Sequence, residues 1–90
     1  MTSRELMLNI AINLARIGRF AAEGRQARLQ QFLKETKLYL RQLQGLPLEP
    51  KLEGTQKHFE NWLNSNKDTV DSEEAYTWAN ILTHRAQLAA

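Results

Sequence analysis

The 90-residue chain contains no cysteine. That excludes disulfides, thiolate nucleophiles and cysteine-ligated zinc, and makes the reducing cytoplasm the expected setting. Valine is almost missing, with Val70 the single copy. Strands draw on β-branched and aromatic residues, so this scarcity speaks against a sheet. The only two prolines, Pro47 and Pro50, fall together, which leaves long stretches free of any helix breaker. No run approaches the ~20 apolar residues a membrane span needs. The opening MTSRELMLNIAINLARIG comes closest, but Glu5, Asn9, Asn13 and Arg16 interrupt it at helical spacing. An amphipathic helix is therefore expected there instead of a signal peptide.

Leucine, alanine, glutamine, glutamate, arginine and lysine fill the space left by these absences, a helix-forming vocabulary. With 42% hydrophobic and 24% charged residues the chain is neither disordered nor fibrous, and its length suits one domain, 1–90, with a modest core. Stepping at 100° per residue from Leu6 puts Leu6, Met7, Ile10, Ala11, Leu14, Ile17 and Ala21 on one broad side. Ile12 falls among the polar residues opposite. In the next segment Leu29, Phe32, Leu33, Thr36, Leu40 and Leu43 share a side, with Tyr39 at its edge. GLPLEP then reads as a loop, with Pro50 or Lys51 opening a third helix whose Leu52, Thr55, Phe59, Trp62 and Leu63 face one way. NSNKDT reads as a polar loop. Asp71, with Glu74 three residues on, caps a fourth helix carrying a narrow seam of Ala75, Ala79, Leu82 and Ala86. The expected fold is an all-α antiparallel four-helix bundle, with helices near 3–22, 25–44, 51–64 and 71–89. Apolar residues beyond one stripe, namely Ile12, Phe20, Trp62, Ile81 and Leu88, invite completion by a second copy.

The stretch IGRFAAEGRQARLQQFL joins the first two helices and poses the main ambiguity. Their apolar sides run almost in phase across Gly24, so one continuous helix of about 40 residues, about 60 Å long, competes with a turn. A turn at 23–25 is expected, because Arg25 would otherwise cut the apolar stripe, and Gly24 costs about 1 kcal/mol inside a helix. Gly18 is the competing break point. Arg19, Arg25 and Arg28 gather around this junction and are the candidate anion contacts. Charge is uneven along the chain: residues 1–48 carry eight Lys/Arg against three Asp/Glu, and residues 49–90 four against seven. That pattern fits a basic binding face or, more simply, two halves that attract each other.

Catalytic and metal chemistry find no footing. His58 and His84 are the only histidines, no Glu-x-x-His pair is present, and both are expected on wet faces without a role. The serines Ser3, Ser65 and Ser72 sit at helix ends or loops, where capping accounts for them. No enzyme activity and no cofactor is expected. Trp62, Trp78, Ile81 and Arg85 are the candidate interaction residues, since Trp and Arg dominate binding hot spots. Arg85 falls on the apolar side of its helix and admits three readings. It could lie over the Trp78 indole, pair with Glu23 or Glu35 in the interior, or anchor an interface.

The ending YTWANILTHRAQLAA and the opening ELMLNIAINLARIGRF resemble small all-helical proteins of unknown function from cyanobacterial-type genomes. That resemblance implies a compact helical domain and supplies no activity. IGRF is also similar to the turn of tetratricopeptide repeats, although one helix pair cannot build such an array. The function expected is a non-enzymatic module binding a protein partner or a second copy of itself. Nucleic-acid binding through the basic first half is the alternative, and no membrane partner is expected.

Overall fold

Four helices and no strand make up residues 1–47, 52–65 and 69–88, which the computed structural model describes: α1 Ser3–Glu23, α2 Gln26–Gln44, α3 Glu53–Ser65 and α4 Ser72–Leu88. The expected all-α four-helix architecture is present, and the helix ends lie close to those read from the sequence. The proposed start of the third helix at Pro50 or Lys51, the middle of NSNKDT and residue 89, the expected end of the fourth helix, lie outside the described residues.

Each boundary has a local cause. Thr2 caps α1 in a reciprocal capping box: the Glu5 amide donates to Thr2 Oγ1 at 3.1 Å, and the Thr2 amide donates back to Glu5 Oε1 at 3.3 Å. The Thr2 hydroxyl also donates to that carboxylate at 3.0 Å, and this bond, before the backbone one, holds the Glu5 carboxyl below its ordinary value. A lowered carboxylate pKa gives stability that is present above the ordinary carboxylate range and fades as pH falls through the lowered value. Thr2→Ala is expected to raise the Glu5 side-chain titration toward that ordinary range, followed by NMR. An unchanged titration would show that the box does not hold in solution. At α4 half of the expected box is formed, the Glu74 amide donating to Asp71 Oδ1 at 2.9 Å.

The chain turns at Gly24. Its φ of 71° is left-handed, and its amide donates to the Ala21 carbonyl at 3.3 Å while Arg25 N reaches the Phe20 carbonyl at 2.9 Å. A side chain would add about 1–2 kcal/mol of strain there. The molecule measures 36 Å along its longest axis, too short for a 60 Å helix. Gly18, the competing break, stays inside α1 and serves packing. A Cβ on it would lie 3.1 Å from Tyr76 Cε2 and 3.2 Å from the Ser72 carbonyl oxygen. Its own carbonyl accepts the Ser72 hydroxyl at 2.8 Å.

These contacts fix the topology. Asn13 meets Glu35 and Phe20 stacks on Phe32, so α2 runs back along α1. Ser72 sits at Gly18 and Arg4 Nε donates to the Ala86 carbonyl at 3.3 Å, so α4 is also antiparallel to α1. Helix α1 packs closely on both α2 and α4, which is why its apolar side is broad: Leu6, Met7, Ile10, Leu14 and Ile17 are all essentially inaccessible. The alanine seam of α4 is buried as expected and lets that approach happen. Helix α3 stands further off at the backbone and meets the rest through large side chains, chiefly Phe59 and Leu63.

Several residues fall differently from the sequence reading. Asn13, taken as a polar interruption, is buried and donates its amide to Glu35 Oε1 at 3.3 Å. Gln56, not singled out from the sequence, is buried on α3 and donates to Glu60 Oε1, one turn on, at 3.2 Å. Phe20, taken as surplus to a monomer's core, is only 6% exposed, because the turn at Gly24 brings Phe32 over it. Ile12 and Leu88 remain outside, at 52% and 64% exposure.

Candidate functional site

Trp78, Ile81 and Arg85 follow one another at i, i+3 and i+7 along α4 and therefore share a side of it. Opposite them, Thr55 and His58 project from α3. Because α3 stands off from its neighbours, these residues, with His84, line an open groove of about 440 Å³ between α3 and α4. The groove wall on the interior side is aromatic. Phe59, 1% exposed, lies 5.5 Å from the Trp78 ring and 6.1 Å from Trp62, and the two indoles are 6.3 Å apart. Such ring pairs add about 0.5–1.5 kcal/mol each beyond their buried area. Trp62 thus braces Trp78 from behind, and three of the four candidate interaction residues line the groove directly.

Both histidines, expected to be exposed and without a role, are exposed and line this same groove. The period of each helix taken singly hid this, since His58 looks outward on α3 and only the approach of α4 makes that face a wall. No group of three or more His, Asp or Glu able to hold a metal occurs among the described residues.

Arg85 is exposed. The interior ion pair with Glu23 or Glu35 is absent among the described residues. Glu23 sits at the far end of α1 from Arg4, and Arg4 is beside Ala86, so the bundle's length separates Glu23 from Arg85. Glu23 pairs instead with Arg25 at 3.5 Å, and Glu35 takes the Asn13 amide. The stacking reading fails as well, as no cation–π contact joins Arg85 to Trp78 among the described residues. Arg85 stands in the last turn of α4, where a cation complements the helix dipole. That accounts for a positive charge but not for its place beside Trp78 and Ile81. Among the described residues no carboxylate lines the groove; Glu53 and Glu60 of α3 line a different cleft, with Gln56 and Lys57.

The arginines around the turn form a second candidate surface. Arg19, Arg25 and Arg28 are exposed and lie toward one end of the α1–α2 hairpin. Arg19 rests on the Phe20 ring at 4.9 Å and Arg16 on Phe32 at 5.3 Å, so the stacked phenyl pair is flanked by two guanidiniums. Each contact contributes about 0.5–1 kcal/mol at an exposed site. The bond from Ser72 to Gly18 brings the acidic start of α4, with Asp71, Glu73 and Glu74, to this same end of the bundle.

No helix among the described residues is long and apolar enough to cross a membrane. Comparisons with family models, with curated proteins and with solved structures return no match.

Proposed function

We propose that the protein is a non-enzymatic helical module that binds another protein through the α3–α4 groove. The observation that carries this reading is the meeting of Trp78, Ile81 and Arg85 in one open groove, backed by Phe59 and Trp62. Tryptophan and arginine are the residues whose burial most often dominates a protein interface. A braced indole is already ordered before binding, so little further entropy is lost when a partner arrives. A photocrosslinking residue in place of Ile81 tests the reading in cells. A discrete adduct is expected from that position and none from the exposed Gln31 of α2. Equal labelling from both positions, or none from either, would remove the support. A second copy is one partner this reading admits. Mass measurement in solution giving a strict monomer across micromolar concentrations would eliminate it.

Nucleic-acid binding through Arg19, Arg25 and Arg28 is the second reading, supported by their exposure around the turn. The nearby acids of α4 weigh against it. Anisotropy of a labelled duplex and a single strand at about 50 and 200 mM salt separates the cases, since binding through several phosphates weakens steeply with salt. A salt-insensitive or absent response closes this reading.

A further inference from the structure

We infer that the partner segment seated in the α3–α4 groove is an acidic amphipathic helix, placing an apolar side chain on Trp78 and Ile81 and a carboxylate at Arg85. This rests on the protein-binding reading above and adds the chemistry of the occupant. The lining carries one formal charge, that of Arg85, and among the described residues no carboxylate lines the groove. Arg85 makes no ion pair among the described residues, so its guanidinium is available for the two-pronged geometry that arginine offers a carboxylate. Thr55 and His58 on α3 and His84 on α4 add further polar atoms around the groove.

The shape argues for a helix over a small molecule. Small-ligand pockets cover roughly 70–90% of their ligand, whereas this groove lies open to solvent between two antiparallel helices. An added helix lays its apolar face into such a groove and covers it from outside. The lining argues against nucleic acid, because a single arginine, with an indole and an isoleucine, supplies too few phosphate contacts.

The test uses the full chain and two synthetic peptides. One carries leucines at i, i+3, i+4 and i+7 flanked by glutamates, and its twin carries lysines in place of the glutamates. Tryptophan emission and titration calorimetry follow binding at low salt. The glutamate peptide is expected to bind about tenfold tighter than its twin, the effect of one charge-assisted hydrogen bond. Arg85→Glu, at an exposed position, is expected to reverse that order, with the melting curve lowered only by the small loss of a favourable charge at the helix end. Equal binding of the two peptides, no change in emission with either, or an order unmoved by Arg85→Glu would overturn the inference. Should crosslinking through Ile81 still yield a discrete adduct in that case, the protein-binding reading stands and the acidic-helix assignment alone falls.

Discussion

Phe59→Ala is expected to remove about 3–5 kcal/mol from the folding free energy, the range for truncating a fully buried phenylalanine. The ring is 1% exposed and is the member of the aromatic cluster nearest to both indoles. Helix α3 approaches the other helices less closely at its backbone than α1 approaches α2 and α4, so side chains of this size hold it in place. Alanine would leave a cavity that the separated backbones cannot close. A domain of this size has about 5–15 kcal/mol in total, so the variant should be close to half-unfolded at modest urea. Urea titration followed by tryptophan emission reads both effects: a lower midpoint, and a red-shifted folded baseline as Trp62 and Trp78 lose their neighbour. Phe59→Leu should recover most of the loss. A loss below about 1 kcal/mol for alanine would show that α3 is held by something other than this cluster.

Gly18→Leu is the second large effect. The α1–α4 interface closes on a site with no side chain: a Cβ there would already be 3.1–3.2 Å from Tyr76 and from the Ser72 carbonyl. Tyr76 is 41% exposed and can swing away, whereas the Ser72 carbonyl belongs to the first turn of α4 and cannot. Overpacking costs about 1–3 kcal/mol, and loss of the 2.8 Å bond from Ser72 to the Gly18 carbonyl adds about 1. The expected total is about 2–4 kcal/mol by chemical denaturation. Gly18→Ala is the informative companion, because its gain in helix propensity of about 1 kcal/mol opposes a much smaller clash. Near-neutrality for alanine with a large loss for leucine is the expected pair of results. A leucine variant as stable as the parent would mean that α4 docks elsewhere on α1.

The helices and the core side of α1 and α4 were readable because a period of 3.6 residues is written into single segments: Leu6, Ile10, Leu14 and Ile17 on one, and Ala75, Ala79, Leu82 and Ala86 on the other. The turn at Gly24 was readable from Arg25, whose charge would otherwise have cut the apolar stripe. What depended on two helices meeting was not readable. Asn13 looked polar until Glu35 supplied its acceptor, and His58 and His84 looked unrelated until α3 and α4 faced each other. Gly18 looked like a break because nothing in its own segment names the helix that needs the space. Trp78, Ile81 and Arg85 were found because their mutual spacing lies within one helix, whereas the groove they line is a property of two.

The bond between Arg4 and the Ala86 carbonyl has a consequence for synthesis. Of the four helices α1 leaves the ribosome first, yet one of its two close partners is the last of the four to be made. At about 5–20 residues per second, the 65 residues between Glu23 and Leu88 take about 3–13 s to follow. For that interval α2 alone can cover the broad apolar side of α1, and the part reserved for the alanine seam stays wet. A nascent chain stalled before α4 is therefore a hairpin with an uncovered flank, the kind of surface that chaperones hold and that neighbouring chains on a polysome can share.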